Sequence, residues 1–163
     1  MTDIVKASNK QHFKDIEILA NIIWREHYVT IIGIEQVEYM LKNFQSAEAM
    51  YLQFTDGYQY FMLYFNNQLI GYLSVLKQEN SLYLSKIYIL KKYRGRKIGK
   101  TAIEFVAKKA IEQHCESITL GVNKYNVKSI AVYETMGFKR VGEMVTDIGN
   151  GFVMDDYKME KIL

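Results

Sequence analysis

A strand-like segment that leads into a basic, glycine-containing turn and then a helix is the feature that most constrains this fold. Residues 84–90 are rich in apolar and aromatic side chains, and six of the ten residues in 91–100 are Lys or Arg. Gly95 and Gly99 lie inside that basic run, and an amphipathic helical pattern begins at Ile98. Such a turn leaves backbone amides without acceptors, and a helix N-terminus adds partial positive charge. The segment therefore predicts a mixed α/β domain that binds a phosphorylated polyanion at the end of a strand.

The rest of the chain, residues 1–163, reads as one domain of alternating helices and strands. Ser8 and Gln11 form a capping-box pattern before the first helix, and Asn66-Asn67 suits a two-residue hairpin turn. Apolar spacing predicts strands over residues 2–6, 58–65, 69–76, 81–90, 117–122, 138–145 and 152–159, and helices over 10–28, 34–44, 46–52, 98–114 and 126–135.

The strand before the basic turn changes its alternation phase. Leu82 and Leu84 alternate in one phase, whereas Ile87 and Ile89 alternate in the other. A strand has a period of two, so both pairs share a face only if one residue is inserted. The pattern therefore indicates either a β-bulge near residues 85–86 or a strand that is buried on both faces.

Composition narrows the classes of function. The net charge is only +3, with 7 basic against 9 acidic residues in 1–90 and 14 against 9 in 91–163. This asymmetry suits an enzyme that binds an anion with one half and a cation with the other. No run of about 18 apolar residues or signal-peptide pattern is present, so we expect no membrane association. The single Cys115 suits the cytoplasm, and three scattered His predict no metal site.

Two interpretations of the basic turn fit it poorly. Gly99-Lys100-Thr101 resembles the end of a nucleotide-binding P-loop, but that pattern needs Gly five residues before its last Gly, where Arg94 stands. Nucleic-acid binding would use the same cations beside Tyr93. A glycine-punctuated turn that enters a helix is more structure than a solvated basic arm needs, so we expect no nucleic-acid partner.

A third interpretation rests on two motifs. Tyr93-Arg94-Gly95-Arg96-Lys97-Ile98-Gly99-Lys100 resembles the acyl-CoA loop, Arg/Gln-x-x-Gly-x-Gly/Ala, of the GCN5-related N-acetyltransferases (GNAT), with Lys97 in place of the middle Gly. Residues 126–138 resemble the family signature Asn-x-x-Ala-x-x-x-Tyr-x-x-x-Gly-Phe, with Ser129 in place of its first Ala. Residues 28–41, the aromatic strand pair and residues 120–123 are most similar to the PaiA-like branch, which includes polyamine acetyltransferases.

The resemblance implies a fold, a cofactor and an acceptor. The fold is a mixed sheet of six to seven strands flanked by helices, with a splayed central strand pair and a β-bulge. The cofactor is acetyl-CoA (coenzyme A after transfer), and the acceptor is a primary amine, expected to be a polyamine or another small cationic amine. The partners are then that small molecule and, as a homodimer, a second copy of the chain.

The resemblance also implies site residues. Ile89 would stabilise the oxyanion through its backbone N–H, and Tyr133 would protonate the leaving thiolate. No base is identified, because relatives that use a Glu on the preceding strand would place it at Gly121. Trp24, Tyr28, Glu35 and Tyr39 would hold the amine. The cofactor would contact Ile87, Tyr88, Ile89, Arg94, Gly95, Arg96, Lys97, Ile98, Gly99, Lys100, Asn126, Ser129 and Tyr133.

Three alternatives remain at this stage. The acceptor could be a protein or peptide N-terminus, or an antibiotic amine. Alternatively, the chain could bind acyl-CoA as a sensor without catalysis, which Gly121 and Lys97 favour because both depart from the pattern of active relatives.

Overall fold

The computed structural model describes all residues, 1–163, as seven strands and six α-helices. The order matches the one predicted from the sequence except for a four-residue helix over Val29–Ile32, which the apolar spacing did not predict. The strands are β1 (Thr2–Lys6), β2 (Gln59–Phe65), β3 (Gln68–Lys77), β4 (Ser81–Ile89), β5 (Ser117–Asn123), β6 (Lys139–Gly149) and β7 (Phe152–Ile162), and the helices are α1 (Lys10–His27), α2 (Val29–Ile32), α3 (Ile34–Asn43), α4 (Ala47–Thr55), α5 (Ile98–Glu112) and α6 (Val127–Thr135).

The seven strands form one mixed sheet in the order β1-β2-β3-β4-β5-β7-β6. Only β4 and β5 are parallel, and their pairing extends from Ser81↔Ser117 to Tyr83↔Thr119. Strand β4 then continues to Ile89 without β5 as a pairing partner. The predicted sheet with a splayed central pair is therefore confirmed.

By its internal contacts the chain divides into two compact units. The first comprises residues 1–76 and 86–103. In it α1 packs against α3 and α4, and the rings of Phe13 and Tyr60 meet edge to face at 5.2 Å in the core. Asn9, not Ser8, is the N-cap of α1, because its side chain accepts a hydrogen bond from the N–H of His12 at 2.9 Å. The predicted turn at Asn66-Asn67 is confirmed by positive φ at both residues.

The second unit comprises residues 77–85 and 104–163. Its core is apolar, with Ile118, Ile130 and Met159 all buried. Strand β7 pairs with β5 on one side and with β6 on the other. The C-terminal end of α6 is capped by Lys161, whose Nζ donates to the carbonyl of Met136 at 2.5 Å.

The alternation of β4 continues further than the leucines alone predict. Leu82, Leu84 and Lys86 are all buried, so a lysine occupies the third position of the apolar phase. Residues 87–89 are half-buried. The pairing of β4 with β5 covers Ser81–Tyr83 and does not extend to residues 85–86. Irregular pairing occurs in β2–β3 at Leu63/Tyr64 and twice in β6–β7.

Candidate functional site

At its C-terminal end, β4 is paired with β3 along one edge, and its other edge faces away from β3. The N–H of Leu90 donates to the carbonyl of Ile70, in β3, at 2.9 Å. Because the hydrogen-bonding groups of successive strand residues point to opposite edges, the N–H and C=O of Ile89 face away from β3. The adjacent strand β3 approaches closely, since a Cβ on Gly71 would lie 2.5 Å from the carbonyl oxygen of Tyr88. The edge at Ile89 can therefore accept an extended ligand as an added strand.

The basic loop, residues 91–97, connects β4 to α5 through two left-handed residues. After a 3₁₀ turn over Lys91–Tyr93, Gly95 has φ +78° and Lys97 has φ +62°. No neighbouring atom lies within 4 Å of a Cβ built on Gly95, so the loop surface is open there. Helix α5 then begins at Ile98, and its first amides have no intrahelical acceptor. The loop and this helix end together provide the N–H groups that a diphosphate needs.

Lys97 adopts the conformation that a glycine would adopt at low cost. A left-handed backbone costs a residue with a side chain about 1 kcal/mol relative to glycine. The hydroxyl of Thr101 donates to the carbonyl of Lys97 at 3.1 Å, and the N–H of Thr101 donates to the same carbonyl at 3.0 Å. These bonds fix the carbonyl of Lys97 and hold the start of the helix.

The two arginines of the basic loop have different neighbours. Arg94 Nε donates to the carbonyl of Ile89 at 3.2 Å, and its Nη1 lies 3.2 Å from His27 Nδ1. The Arg96 guanidinium instead lies over the ring of Tyr93 at 5.4 Å and over that of Phe65 at 5.8 Å. Arg94 thus ties the loop to the end of β4, whereas Arg96 packs on aromatic faces.

The acidic residues of the N-terminal helices are spread over separate positions. Glu26 accepts a hydrogen bond from the N–H of Lys91 at 2.7 Å and so supports the basic loop. Arg25 forms a two-point ion pair with Glu38, at 2.6 and 3.2 Å, and its hydrogen bonds hold the pKa of that carboxyl below its usual value. Glu35 is exposed in the first turn of α3. A cation is therefore more readily attracted by Glu35 than by the already paired Glu38.

An aromatic cluster joins α1 to β4. Trp24 stacks on Tyr28 with ring centroids 4.3 Å apart, and both rings contact Tyr88, at 5.4 and 6.2 Å. Trp24 is 2% exposed, so it supports the two half-buried tyrosines rather than presenting its own face. The structure thus brings two predicted substrate residues together with a predicted cofactor residue. Tyr39 packs edge to face on Phe44 at 6.2 Å.

Lys86 is a buried cation that the sequence analysis did not identify. Its Nζ donates to the carbonyl of Phe44 at 3.1 Å, to Gln53 Oε1 at 2.7 Å and to the hydroxyl of Tyr60 at 2.7 Å. Burial lowers the pKa of Lys86 to about 7. The signal was its place in the apolar phase of β4. Three acceptors around one ammonium group indicate a structural role in joining β4 to the helices.

The second predicted motif, residues 126–138, includes helix α6 and belongs to the second unit. Asn126 is buried at the N-cap position, although its side chain makes no capping hydrogen bond. Ser129 is half-buried one turn later. Tyr133 lies 5.7 Å from Phe138, ring to ring, and burial raises the pKa of its phenol to about 12. Tyr133 therefore stays protonated throughout the neutral range. The predicted cap glycine, Gly137, has φ +95°.

A buried carboxylate beside Gly121 also escaped the sequence analysis. Asp156 on β7 is 5% exposed, and a Cβ on Gly121 would lie 3.4 Å from its Oδ2. Burial, with a smaller contribution from Asp155, raises the pKa of Asp156 to about 6. Its position on an apparently ordinary strand gave no sequence signal, because the pairing of β7 with β5 was unknown.

No group of three or more His, Cys, Asp or Glu side chains is arranged to hold a metal ion. No helix combines the length and the apolar character that crossing a lipid bilayer requires.

Comparison with known proteins agrees with these features. The Acetyltransferase (GNAT) family model matches residues 16–138. N-alpha-acetyltransferase 30 of Dictyostelium discoideum is 36% identical over 85 residues, which are 50% of this chain and 46% of that protein. Thialysine N-epsilon-acetyltransferase of Sus scrofa is 35% identical over 63 residues, 39% of this chain and 37% of that protein. The chain thus spans less than half the length of these curated relatives.

The fold extends the likeness over the whole chain. The PaiA N-acetyltransferase from Thermoplasma acidophilum, solved in complex with coenzyme A, superposes with a TM-score of 0.84 at 21% identity, covering 100% of this chain and 99% of that one. The predicted resemblance to the PaiA-like branch is confirmed at the level of the fold. The family model covers residues 16–138, which are most of the chain and include both predicted motifs in full. The chain therefore belongs to the acetyltransferase (GNAT) family.

Proposed function

We propose that this protein transfers the acetyl group of acetyl-CoA directly to a primary amine of a small, cationic acceptor such as a polyamine. The observation that carries the proposal is the basic loop, which presents left-handed residues and a helix N-terminus directly after the outward-facing edge at Ile89. A long ligand with an amide-rich arm and a diphosphate matches that succession.

The cofactor contacts follow from this arrangement. The outward-facing backbone groups of Ile87 and Ile89 would pair with the amides of the pantetheine arm, and residues 95–100 would hold the diphosphate through N–H groups. The backbone of Tyr88 faces β3 instead, so the sequence-based expectation that it also pairs with the arm is dropped. Arg94 and Lys97 would add charge to that contact. Asn126 and Ser129 are proposed to contact the cofactor as well, on the basis of the family motif that they form.

Two groups would act on the transferred acetyl group, which acetyl-CoA supplies as a thioester. The N–H of Ile89 faces away from β3 and would stabilise the oxyanion. Tyr133, protonated at neutral pH, would donate a proton to the departing sulfur while the attacking nitrogen loses one.

The proposed acceptor follows from the aromatic and acidic residues near the N-terminus. The ring faces of Tyr28 and Tyr39 suit a cation, Glu35 adds an exposed negative charge, and Trp24 supports Tyr28 from behind. The thialysine relative is named for an amino group on a small molecule, which is compatible with such an acceptor. N-alpha-acetyltransferase 30 keeps a peptide N-terminus as the second candidate.

A panel of amines tests the proposal. Release of the CoA thiol would be followed with spermidine, spermine, thialysine, an aminoglycoside and a short peptide with a free N-terminus. We expect the highest kcat/KM with the small polyamines. Activity on the peptide alone would show that the acceptor is a peptide N-terminus and not a small cationic amine. Tight binding of acetyl-CoA with no turnover on any amine would instead favour the non-catalytic sensor.

Replacement of Tyr133 by Phe tests its role as the acid. Because general acids contribute about 10²- to 10⁴-fold, we expect kcat to fall by about 100-fold or more. The Kd for CoA, measured by calorimetry, should stay nearly unchanged. Unaltered kcat in the Tyr133→Phe variant would exclude the phenol as proton donor.

We also propose that two copies of the chain associate through β6. This edge strand is exposed along almost its whole length and carries Val141 and Val145 at 54% and 65% exposure. An exposed edge with apolar side chains offers both backbone pairing and burial to a second copy. Sedimentation equilibrium should show a dimer that Val145→Lys converts to a monomer; a monomeric parent protein would contradict the proposal.

A further inference from the structure

Asp156 is a carboxylate buried without a partner. It lies in the middle of β7, opposite Asn123 on β5 and Met144 on β6, so neither neighbour on its face offers a charge. It is 5% exposed, and its carboxylate makes no hydrogen bond or ion pair with the protein. Burying a charge without compensation is costly, so residues of this kind are usually replaced unless they serve a function.

The adjacent carboxylate on the same strand, Asp155, is compensated by an ion pair. Asp155 points to the opposite face, where Lys124 Nζ lies 3.0 Å from its Oδ1 and 2.8 Å from Glu143. The ionisable groups that share the face of Asp156 are Lys158, opposite Gly121, Glu160, which accepts a hydrogen bond from Ser117 at 2.8 Å, and Lys139 of β6, which lies opposite Glu160. Asp155 and Glu160 thus have partners, and Asp156 has none.

Gly121 leaves an opening beside this carboxylate. It is exposed, whereas Leu120 and Val122 on either side are buried. It lies on the same face as Asp156, diagonally across the β5–β7 pair, and a Cβ there would approach Oδ2 to 3.4 Å. Because glycine has no side chain, nothing at position 121 covers the carboxylate. A small molecule or one water can therefore approach the buried oxygen from this side.

We propose that Asp156 is the general base that takes the proton from the acceptor ammonium group, directly or through one water, before the amine attacks. The inference rests on the proposed function. The ammonium N–H bond breaks and its proton moves to Asp156, which leaves a lone pair on nitrogen. That pair forms the C–N bond as the C–S bond breaks. The second proton of the nitrogen replaces the one that Tyr133 gives to sulfur, and Asp156 returns its proton to solvent.

The acidity of Asp156 suits this role. An alkylammonium has a pKa of about 10.4, so an ordinary carboxylate is a very weak base toward it. With a pKa of about 6, Asp156 remains ionised at neutral pH yet holds a proton about 100-fold more tightly than an unperturbed Asp. The raised pKa reduces the mismatch between base and ammonium group.

The test compares two acceptors of the same shape in the parent protein and in Asp156→Asn. One is the best amine from the panel, and the other is its analogue with two fluorines on the second carbon from the reacting nitrogen, which lower the ammonium pKa so that a large fraction of this amine is already neutral at the assay pH. We expect Asp156→Asn to lower kcat/KM for the first amine by at least about 100-fold, and for the fluorinated analogue by less than about tenfold. The parent kcat/KM should also show an inflection near the pKa of Asp156 that the variant lacks.

Two controls separate catalysis from structure. Asp156→Glu retains a carboxylate and should keep the inflection with partial activity. Asp155→Asn should keep the activity and shift the inflection to lower pH, because Asp155 contributes to the raised pKa. Equal losses on both amines, or full activity of Asp156→Asn, would overturn the assignment of Asp156 alone. A parent protein inactive on every amine would overturn the proposed function and this inference with it.

Discussion

The basic loop and the polar face around Asp156 handle charge in opposite ways. The loop gathers five Lys and Arg within residues 91–97, nearly all of them exposed, on a backbone with two left-handed residues. The face around Asp156 holds one buried carboxylate, which is brought beside Gly121 by the pairing of β5 with β7. A polyanion can be bound by one short local segment in water. A proton acceptor has to be shielded from water, and that takes strands distant in sequence.

Of the substitutions considered, Arg94→Ala should have the largest effect, and that effect should be on the affinity for CoA. Charge-assisted hydrogen bonds contribute about 1.5–3 kcal/mol, so Arg94→Ala should weaken CoA binding by about 10- to 100-fold. The bond from Arg94 to the carbonyl of Ile89 adds to this loss, because it holds the loop against β4. Isothermal titration would measure the change.

The matched control is Lys92→Ala, which removes an exposed cation that lies over the Tyr93 ring. Surface charges of this kind contribute about 1 kcal/mol or less, so its effect should be several-fold at most. Equal losses in the two variants would mean that the loop acts only through its net charge.

The negative charge of buried Asp156 should lower the free energy of unfolding, whereas the exposed charges of the basic loop should not. Its folded-state pKa is raised by burial, so the folded protein binds this proton more tightly than the unfolded chain. Stability from this group is fully present below the unfolded pKa of about 3.9 and is lost as the pH rises through about 6. Asp156→Asn should therefore raise the free energy of unfolding by about 1–2 kcal/mol near pH 8.

Urea unfolding at several pH values would measure this difference between Asp156→Asn and the parent protein. The gain should shrink toward zero near about pH 3, below the ordinary pKa of an Asp side chain, where Asp156 is protonated in both states. Destabilisation near pH 8, or a gain independent of pH, would show that the carboxylate is compensated in the folded state.

Lys97 should have the smallest effect. Lys97→Gly removes the cost of a left-handed side-chain-bearing residue and should raise the free energy of unfolding by about 0.5–1 kcal/mol. Lys97→Ala removes the same charge but keeps the Cβ, and should not stabilise. If the two variants unfold alike, the left-handed conformation at residue 97 carries no measurable strain.

The features that could be predicted from the sequence are those that depend on short, contiguous patterns: turns, helix caps, the order of elements and the basic loop. Asn66-Asn67 and Gly137 have the positive φ that their positions required, and the order of elements follows the apolar periodicity. The basic loop could be recognised because its glycines, cations and helix start are contiguous. Even the cap of α1 was missed by only one residue, Asn9 for Ser8, since both types accept hydrogen bonds from helix N–H groups.

Long-range pairing determined what the sequence could not predict. Asp156 became a candidate only through the register that places it beside Gly121. The apolar phase of β4 indicated that Lys86 is buried, but its acceptors on α4 and β2 could not be read from the sequence. The burial of Trp24 likewise depends on Tyr28 and on Tyr88, which lies about 60 residues away in the chain. Such contacts are set by tertiary packing, which periodicity does not specify.

The basic loop and the N-terminus of α5 are proposed to bind the diphosphate of coenzyme A. Comparing the Kd of acetyl-CoA with that of acetyl-pantetheine, which lacks the diphosphate and nucleoside, tests this binding most directly, with 3′-dephospho-CoA separating the remaining phosphate. We predict that acetyl-pantetheine binds at least about 100-fold more weakly, that dephospho-CoA stays within about tenfold of CoA, and that Arg94→Ala removes most of the difference. Equal affinities for acetyl-CoA and acetyl-pantetheine would contradict the account.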